Sequence, residues 1–306
     1  MKIYLKKGIT AGILLIIISF LLYQVGFNKI VDAFSSVNYS SLIFIFFGTL
    51  ILTLVYPCTL TILHYPLKTS KMPLSTFYKL RLLTQVIATI TPNKIGELYL
   101  FFLLKRKYKI NAVPTFYIFI LDKLASFIHV LLFSSIGFFM ILKDISASTV
   151  SLFIFSLIIL GIFLGNYLLG KLKRLSKLFF MENNLKNIFT KTVDFYRHFT
   201  KKNFHIITYN IIATFLVFGL TALVMKLIFL SLNVDVAFAK IYLIINMISL
   251  ASFIPLNILG IGIKEISSVY FYSLIGVDMN ITILTVLLLT VAKYITCLIF
   301  YLGLRT

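Results

Sequence analysis

Two stretches of this sequence put proline, glycine and charge together where the flanking residues are apolar. The first is Thr91-Pro92-Asn93-Lys94-Ile95-Gly96-Glu97, and the second is Pro255-Leu256-Asn257-Ile258-Leu259-Gly260-Ile261-Gly262-Ile263-Lys264-Glu265. Proline removes a backbone donor and clashes with the preceding turn, while glycine allows conformations other residues avoid, so each stretch should split its segment into two half-helices. A half-helix that begins inside a membrane turns unpaired N–H groups and a positive dipole end toward the space it meets, which suits a phosphate or another anion. The same residues also make good caps, with Thr91 at the N-cap, Pro92 at N1 and Glu97 in the first turn. Capping does not explain why both stretches carry a Lys and a Glu, because a charge at bilayer depth costs about 2.5–3.5 kcal/mol on insertion scales. Lys94 and Glu97 are spaced to pair at i, i+3, and Lys264 and Glu265 are adjacent.

Further polar residues fall inside apolar segments. Asp122, Ser126 and His129 recur at i, i+4 and i+7 and form one stripe with Lys123 beside it. An intramembrane Asp next to a Lys marks either a functional site or an internal pair between helices. His129 alone reads as a hydrogen-bonded packing residue. Thr290, Lys293 and Cys297 share a face, so Lys293 should meet protein or water, where a lipid phosphate or Asp122 would neutralise it. Arg81 and Gln85 share another face, and guanidinium suits phosphate bidentately. Asn246, Ser249 and Ser252 mark a polar face in the second half of the chain, while Lys79 and Lys226 lie near enough to segment ends to snorkel.

The elements that would position these residues are membrane helices. The 306 residues are 60% hydrophobic and only 12% charged, with a mean hydropathy of +1.03, too little polar sequence to cover a soluble globule. A span needs roughly 20 apolar residues, and six full spans are expected at residues 8–27, 39–63, 114–142, 149–170, 205–230 and 280–303. The broken segments, 76–104 and 241–274, are left over. Placing Lys2, Lys6 and Lys7 inside puts Lys68 and Lys71 inside after two spans. Lys105, Arg106, Lys107 and Lys109 then stay inside only if the first broken segment is a re-entrant hairpin. The second opens from the outside, flanked by Asp235 and Asp278, with Lys240 the positive exception. The chain thus reads as one all-α membrane domain of two inverted repeats, 1–143 and 148–306, with both termini in the cytoplasm of a cell bounded by this inner membrane. A basic cytoplasmic loop at 171–203 has enough Leu, Ile and Phe for an interfacial helix.

Several classes are excluded. The net charge of +20 invites a nucleic-acid partner, but its Lys and Arg cluster beside apolar segments, as they do on loops facing an anionic leaflet. Cys58 and Cys297 form no CxxC pair, so no disulfide, metal or cofactor is expected. No nucleophile elbow, HExxH or P-loop occurs, and an enzyme is not expected. The N-terminal apolar run is long and lacks a small-residue cleavage pattern, as expected of an uncleaved span.

On these residues the chain resembles the flippase-like family that shares the transmembrane domain of lysylphosphatidylglycerol synthases. The resemblance is carried by Thr91-Pro92 with Gly96-Glu97, Leu121-Asp122-Lys123, Ile254-Pro255 with Leu259-Gly260-Ile261-Gly262 and Lys264-Glu265, and Ile275-Gly276-Val277. It implies handling of a membrane lipid, a phospholipid or polyprenyl phosphate, with headgroup translocation as the favoured role. The synthases' soluble aminoacyl-transferring domain is absent from this sequence, so synthesis is not implied. Asp122-Lys123 stands where Glu-Arg is expected and Lys293 where Arg is expected, changes that keep charge and reshape the contact. An anionic headgroup would then be bound between the hairpin tips by Arg81, Pro92, Asn93, Lys94, Gly96, Glu97, Asp122, Lys123, Asn257, Gly260, Gly262, Lys264, Glu265 and Lys293. Two other readings fit the same residues: an ion or small-solute carrier, and a non-transporting partner of a lipid-modifying glycosyltransferase or synthase.

Overall fold

A computed structural model of the protein describes residues 39–66, 72–90, 96–108, 113–141, 199, 201–252 and 263–305. Among them are eight helices and no strand: α1 (Tyr39–His64), α2 (Leu74–Ile90), α3 (Tyr99–Arg106), α4 (Val113–Ile141), α5 (Phe204–Ser231), α6 (Phe238–Ala251), α7 (Ile263–Ser273) and α8 (Met279–Arg305). The expected spans at 8–27 and 149–170, the tips 91–95 and 253–262 and most of the basic loop lie outside the described residues.

Four helices, α1, α4, α5 and α8, are long and apolar enough to cross a bilayer. They coincide with four of the expected spans because an uninterrupted apolar run of this length satisfies all its backbone bonds internally. Only 28–44% of their most apolar windows is buried against protein. Ile43, Phe44 and Phe47 on α1 and Ile295, Leu298 and Ile299 on α8 point outward, as side chains facing lipid do. Close approach between helices uses small residues. A Cβ on Gly48 of α1 would lie 2.9 Å from Val224 Cγ2 of α5, and one on Gly137 of α4 would lie 2.8 Å from Met247 Sδ of α6.

The other four helices form two pairs of short ones. With 17 and 8 residues, α2 and α3 rise about 26 and 12 Å, less than the roughly 30 Å of a hydrocarbon core. The same holds for α6 and α7, with 14 and 11 residues. Two apolar clusters show where each pair begins and ends. One gathers Leu60 and Leu63 from the end of α1, Phe77 and Leu80 from early α2, Leu104 from the end of α3, Ile118 from the start of α4, and Ile206 from the start of α5. The other gathers Ile45 from the start of α1, Ala222 to Phe229 from the end of α5, Ile241 from α6, Phe271 and Tyr272 from the end of α7, and Leu284 from α8.

Therefore α1, α4 (through Phe138 and Ile141) and α5 run from one cluster to the other, α8 leaves from the second, and each short pair returns to the cluster it left. The α2–α3 pair opens at one end of the bundle and the α6–α7 pair at the opposite end. At the second opening the Phe229 and Tyr272 rings lie 5.0 Å apart, and the Gly276 φ of +84° lets the chain turn directly into α8. Asp278 caps that helix, its Oδ1 accepting from Asn280 N at 2.7 Å.

The openings differ in charge. Lys105, Arg106, Lys107, Lys201, Lys202 and Arg305 lie at the α2–α3 end, whereas Asp235 and Asp278 lie at the other. Lys226, near the second end, is neutralised there: its ammonium binds the Asp235 carboxylate and donates to the Val236 carbonyl at 2.7 Å.

In protein with Cys58 and Cys297 replaced by Ala, single cysteines at Lys107 and Asp278 should react with an impermeant maleimide from opposite faces of the membrane. A single cysteine at Tyr65, between α1 and α2, should label from the same face as Lys107; labelling of these two from opposite faces would mean that α2–α3 crosses completely.

Candidate functional site

The first pair holds its charge between helices. Glu97 sits where the chain turns into α3 and is 4% exposed. Lys123 Nζ of α4 lies 2.6 Å from its Oε2 and Arg81 Nη2 of α2 lies 3.5 Å from its Oε1. The Tyr56 hydroxyl of α1 donates to Oε1 at 3.2 Å and accepts from Lys123 Nζ at 3.4 Å. Both cations also lie over the Tyr56 ring, Arg81 at 5.5 Å and Lys123 at 5.9 Å from its centroid. One turn of α1 away, Asn210 of α5 donates to the Thr59 carbonyl and to Asp122 Oδ1, both at 2.9 Å. Asp122 is within electrostatic reach of Arg81 and Lys123. Two cations and two carboxylates from three elements thus share one site, with the Tyr56 hydroxyl tying in α1 and the Asn210 amide α5.

Local sequence explains the placement. Gly96 lies against the backbone of α2, where a Cβ would come within 2.3 Å of Ala88 N. Only glycine lets the returning chain touch α2 there, and this contact sets Glu97 two helical turns back along α2, beside Arg81. On α1, Pro57 interrupts the backbone ladder. In the same turn the Leu54 carbonyl accepts from the Tyr78 hydroxyl at 2.8 Å, which fastens α2 to α1. Lys123 follows the start of α4 at Val113 by ten residues, about 15 Å of rise. The site therefore lies well inside the span and not at its end.

Burial is uneven. The Arg81 side chain is 0% exposed and that of Glu97 5%, whereas that of Lys123 is 37% exposed. Arg81 Nε, Nη1 and Nη2 are buried without a hydrogen-bond partner, and so is Gln85 Oε1 one turn along the same face. Arg81 is thus held by charge and by the Tyr56 ring, with its fork of donors unused.

The residues singled out in the sequence are not all in one place. Arg81, Gly96, Glu97, Asp122 and Lys123 come together. Lys94 was offered by spacing as the partner of Glu97, but it lies outside the described residues, as do Pro92, Asn93, Asn257, Gly260 and Gly262. The cations described beside Glu97 come from other helices. Lys264 and Glu265 begin α7, and Glu265 lies within electrostatic reach of Tyr294, next to Lys293 on α8. One turn further along α8, Cys297 Sγ contacts Thr89 Oγ1 near the end of α2 at 3.6 Å. Both short pairs therefore bring their inner ends to neighbouring turns of α8.

His129 belongs to a separate aromatic group. Its Nε2 pairs with the Tyr242 hydroxyl at 3.0 Å, and Phe133, Phe215 and Phe218 surround the ring. Ser249 and Ser252 hydroxyls bond back to carbonyls of their own helix, so the polar face expected there is largely satisfied locally. Among the described residues no three His, Cys, Asp or Glu side chains are placed to hold a metal ion.

Tyr56 and Asn210 escaped the sequence reading. A lone Asn within an apolar span is a signal in itself, since its amide must find a partner in the bundle. Tyr56 offers no such signal, because aromatic residues are frequent along the chain.

Two substitutions test the close approach. Gly96→Ala should lower thermal stability in detergent by on the order of 1–3 kcal/mol through overpacking. Gly219→Ala, where a Cβ meets nothing within 4 Å, should be neutral or stabilise by up to about 1 kcal/mol. For the ion pair, a double-mutant cycle of Arg81→Gln and Glu97→Gln should give a coupling of about 0.5–3 kcal/mol; additive effects would remove the pair from the account.

A family model described as the lysylphosphatidylglycerol synthase TM region matches residues 8–300, a range that contains every residue of this cluster. No curated protein and no solved structure matches the chain.

Proposed function

The chain belongs to the lysylphosphatidylglycerol synthase TM region family, multi-pass membrane proteins linked to lipid modification or lipid transport, and on that premise we propose that it is a lipid flippase. In this reading it moves the anionic headgroup of a phospholipid or polyprenyl phosphate between leaflets and is not an enzyme. The observation that carries the reading is the Arg81–Glu97–Lys123 cluster: basic and acidic side chains paired inside the bundle, at the inner end of a pair of helices each too short to span a bilayer alone. Charge in such a place is costly and is kept where a polar group passes.

The site lies where the inner ends of the two pairs approach α8, and the pairs open at opposite ends of the bundle. Exposing the cluster first to one side and then to the other would carry a headgroup across while its acyl chains stay in lipid. The positive-inside rule puts the Lys105-Arg106-Lys107 end in the cytoplasm of an inner membrane, with both chain termini on that side. The two openings then correspond to the inverted repeats 1–143 and 148–306. Lys123, the most exposed of the charged trio, is the first contact for a phosphate, and Arg81 is the deeper one. Lys293 with Glu265 and Lys264 serves the second opening.

Reconstituted in liposomes of mixed zwitterionic and anionic lipid, the protein should move fluorescent phosphatidylglycerol or a polyprenyl phosphate between leaflets. Lys123→Gln and Arg81→Gln should each slow this by about tenfold or more, the value of one charge-assisted contact. Uptake of a solute without lipid movement would favour a carrier, and inactivity in both assays a non-transporting partner.

A further inference from the structure

We propose that Glu97 is a tethered stand-in for the substrate's anion: its carboxylate occupies the seat on Arg81 and Lys123 that the headgroup phosphate takes when the site is loaded. Loading is then an exchange of one anion for another. This rests on the reading of the cluster as a headgroup site and deepens it by naming the group that the phosphate displaces.

The first support is how poorly the carboxylate fills the seat. Lys123 Nζ and the Tyr56 hydroxyl reach it at 2.6 and 3.2 Å, but Arg81 Nη2 stops at 3.5 Å, and none of the guanidinium nitrogens has a hydrogen-bond partner. Guanidinium carries five donors in a fixed fork, and a buried polar group left unsatisfied is costly. A fully buried Arg81 that reaches its anion through one nitrogen at 3.5 Å, with most of its donor fork unused, is the feature that packing alone leaves unexplained.

The second support is the tether. Glu97 follows Gly96, and Gly96 is pressed against the α2 backbone, with Ala88 N 2.3 Å from where a Cβ would be. The backbone that carries the carboxylate is held by that contact, so Glu97 reaches Arg81 only through its own side chain. A phosphate on a lipid has no such restraint. It could accept a bidentate bond from Arg81 while keeping Lys123, the geometry in which guanidinium and phosphate match best.

Charge balance favours exchange over addition. Arg81 and Lys123 are already balanced by Glu97 and Asp122, so a phosphate added to the intact cluster would leave an unneutralised anion at bilayer depth. Displacing the Glu97 carboxylate keeps the balance for a phosphodiester, which carries one charge, when Glu97 takes up a proton from water as it leaves its cations and gives it back on return. The way in is past Lys123, whose side chain is 37% exposed while those of Arg81 and Glu97 are 0% and 5%. Return of Glu97 to its cations then expels the headgroup, so that one carboxylate closes the empty site and releases the cargo.

The experiment measures affinity and movement in wild type and Glu97→Gln, using full-length protein in detergent titrated with dihexanoyl phosphatidylglycerol, inorganic phosphate or dihexanoylglycerol. Removing the tethered charge should tighten phosphatidylglycerol binding by about tenfold or more, leave dihexanoylglycerol unchanged and slow lipid movement in liposomes. The same gain for inorganic phosphate means the seat takes the phosphate group itself. A gain for the lipid alone means its chains are also held, and either result upholds the exchange. Equal or weaker binding by the variant overturns it. If Glu97→Gln does not fold, Glu97→Asp retains the charge but withdraws it from Lys123. It should bind phosphatidylglycerol more tightly than wild type, and wild-type affinity or less overturns the proposal. Lipid movement by wild type without any gain in the variants refutes the exchange and leaves the flippase reading standing. Tighter phosphate binding in a variant of a protein that moves no lipid does the reverse.

Discussion

A carboxylate inside a membrane bundle must have its charge met by protein, and here the arrangement of four helical elements follows from that requirement. Glu97 is reached by Lys123 from α4, Arg81 from α2 and Tyr56 from α1, while Glu97 itself leads into α3. Losing one partner would strand the others, since an unpaired buried charge is far costlier than a neutral side chain. The close packing of Gly96 on α2 and the bond from Tyr78 to the Leu54 carbonyl hold these elements in register with that demand.

The same constraint accounts for the short helices. Helices this short keep Arg81 on α2 and Glu97 at the start of α3 inside the bundle and away from lipid. The four long helices supply the surroundings. Their outward faces are apolar, and their inward faces carry Thr53, Asn210 and Thr296, with Thr53 and Thr296 hydroxyls 3.5 Å apart between α1 and α8. The two pairs open at opposite ends and approach neighbouring turns of α8, which makes that helix the element common to both.

Much of this was legible before any coordinates. Uninterrupted apolar runs declare spanning helices, and α1, α4, α5 and α8 fall where composition puts them because lipid leaves backbone no other solution. Charge placement anticipated that Lys105 to Lys107 return to the end where α2 begins. Glu97, Arg81, Asp122 and Lys123 stand out in the sequence because ionised residues are rare inside spans. Local spacing pairs Lys94 with Glu97, and Lys94 lies outside the described residues; the described partners of Glu97 are Arg81, Lys123 and Tyr56, and Asp122 accepts from Asn210.

By itself the sequence determined the class of the protein, its long helices, the places where helices break and the residues too costly to lie in lipid. These follow from hydrophobicity and backbone chemistry, which act within one segment. Only the tertiary structure decided which charges meet, because partners for a buried carboxylate are chosen by where helices distant in sequence come to lie. It also decided that Arg81 meets Glu97 through one nitrogen at 3.5 Å, a distance set by how helices far apart in sequence pack.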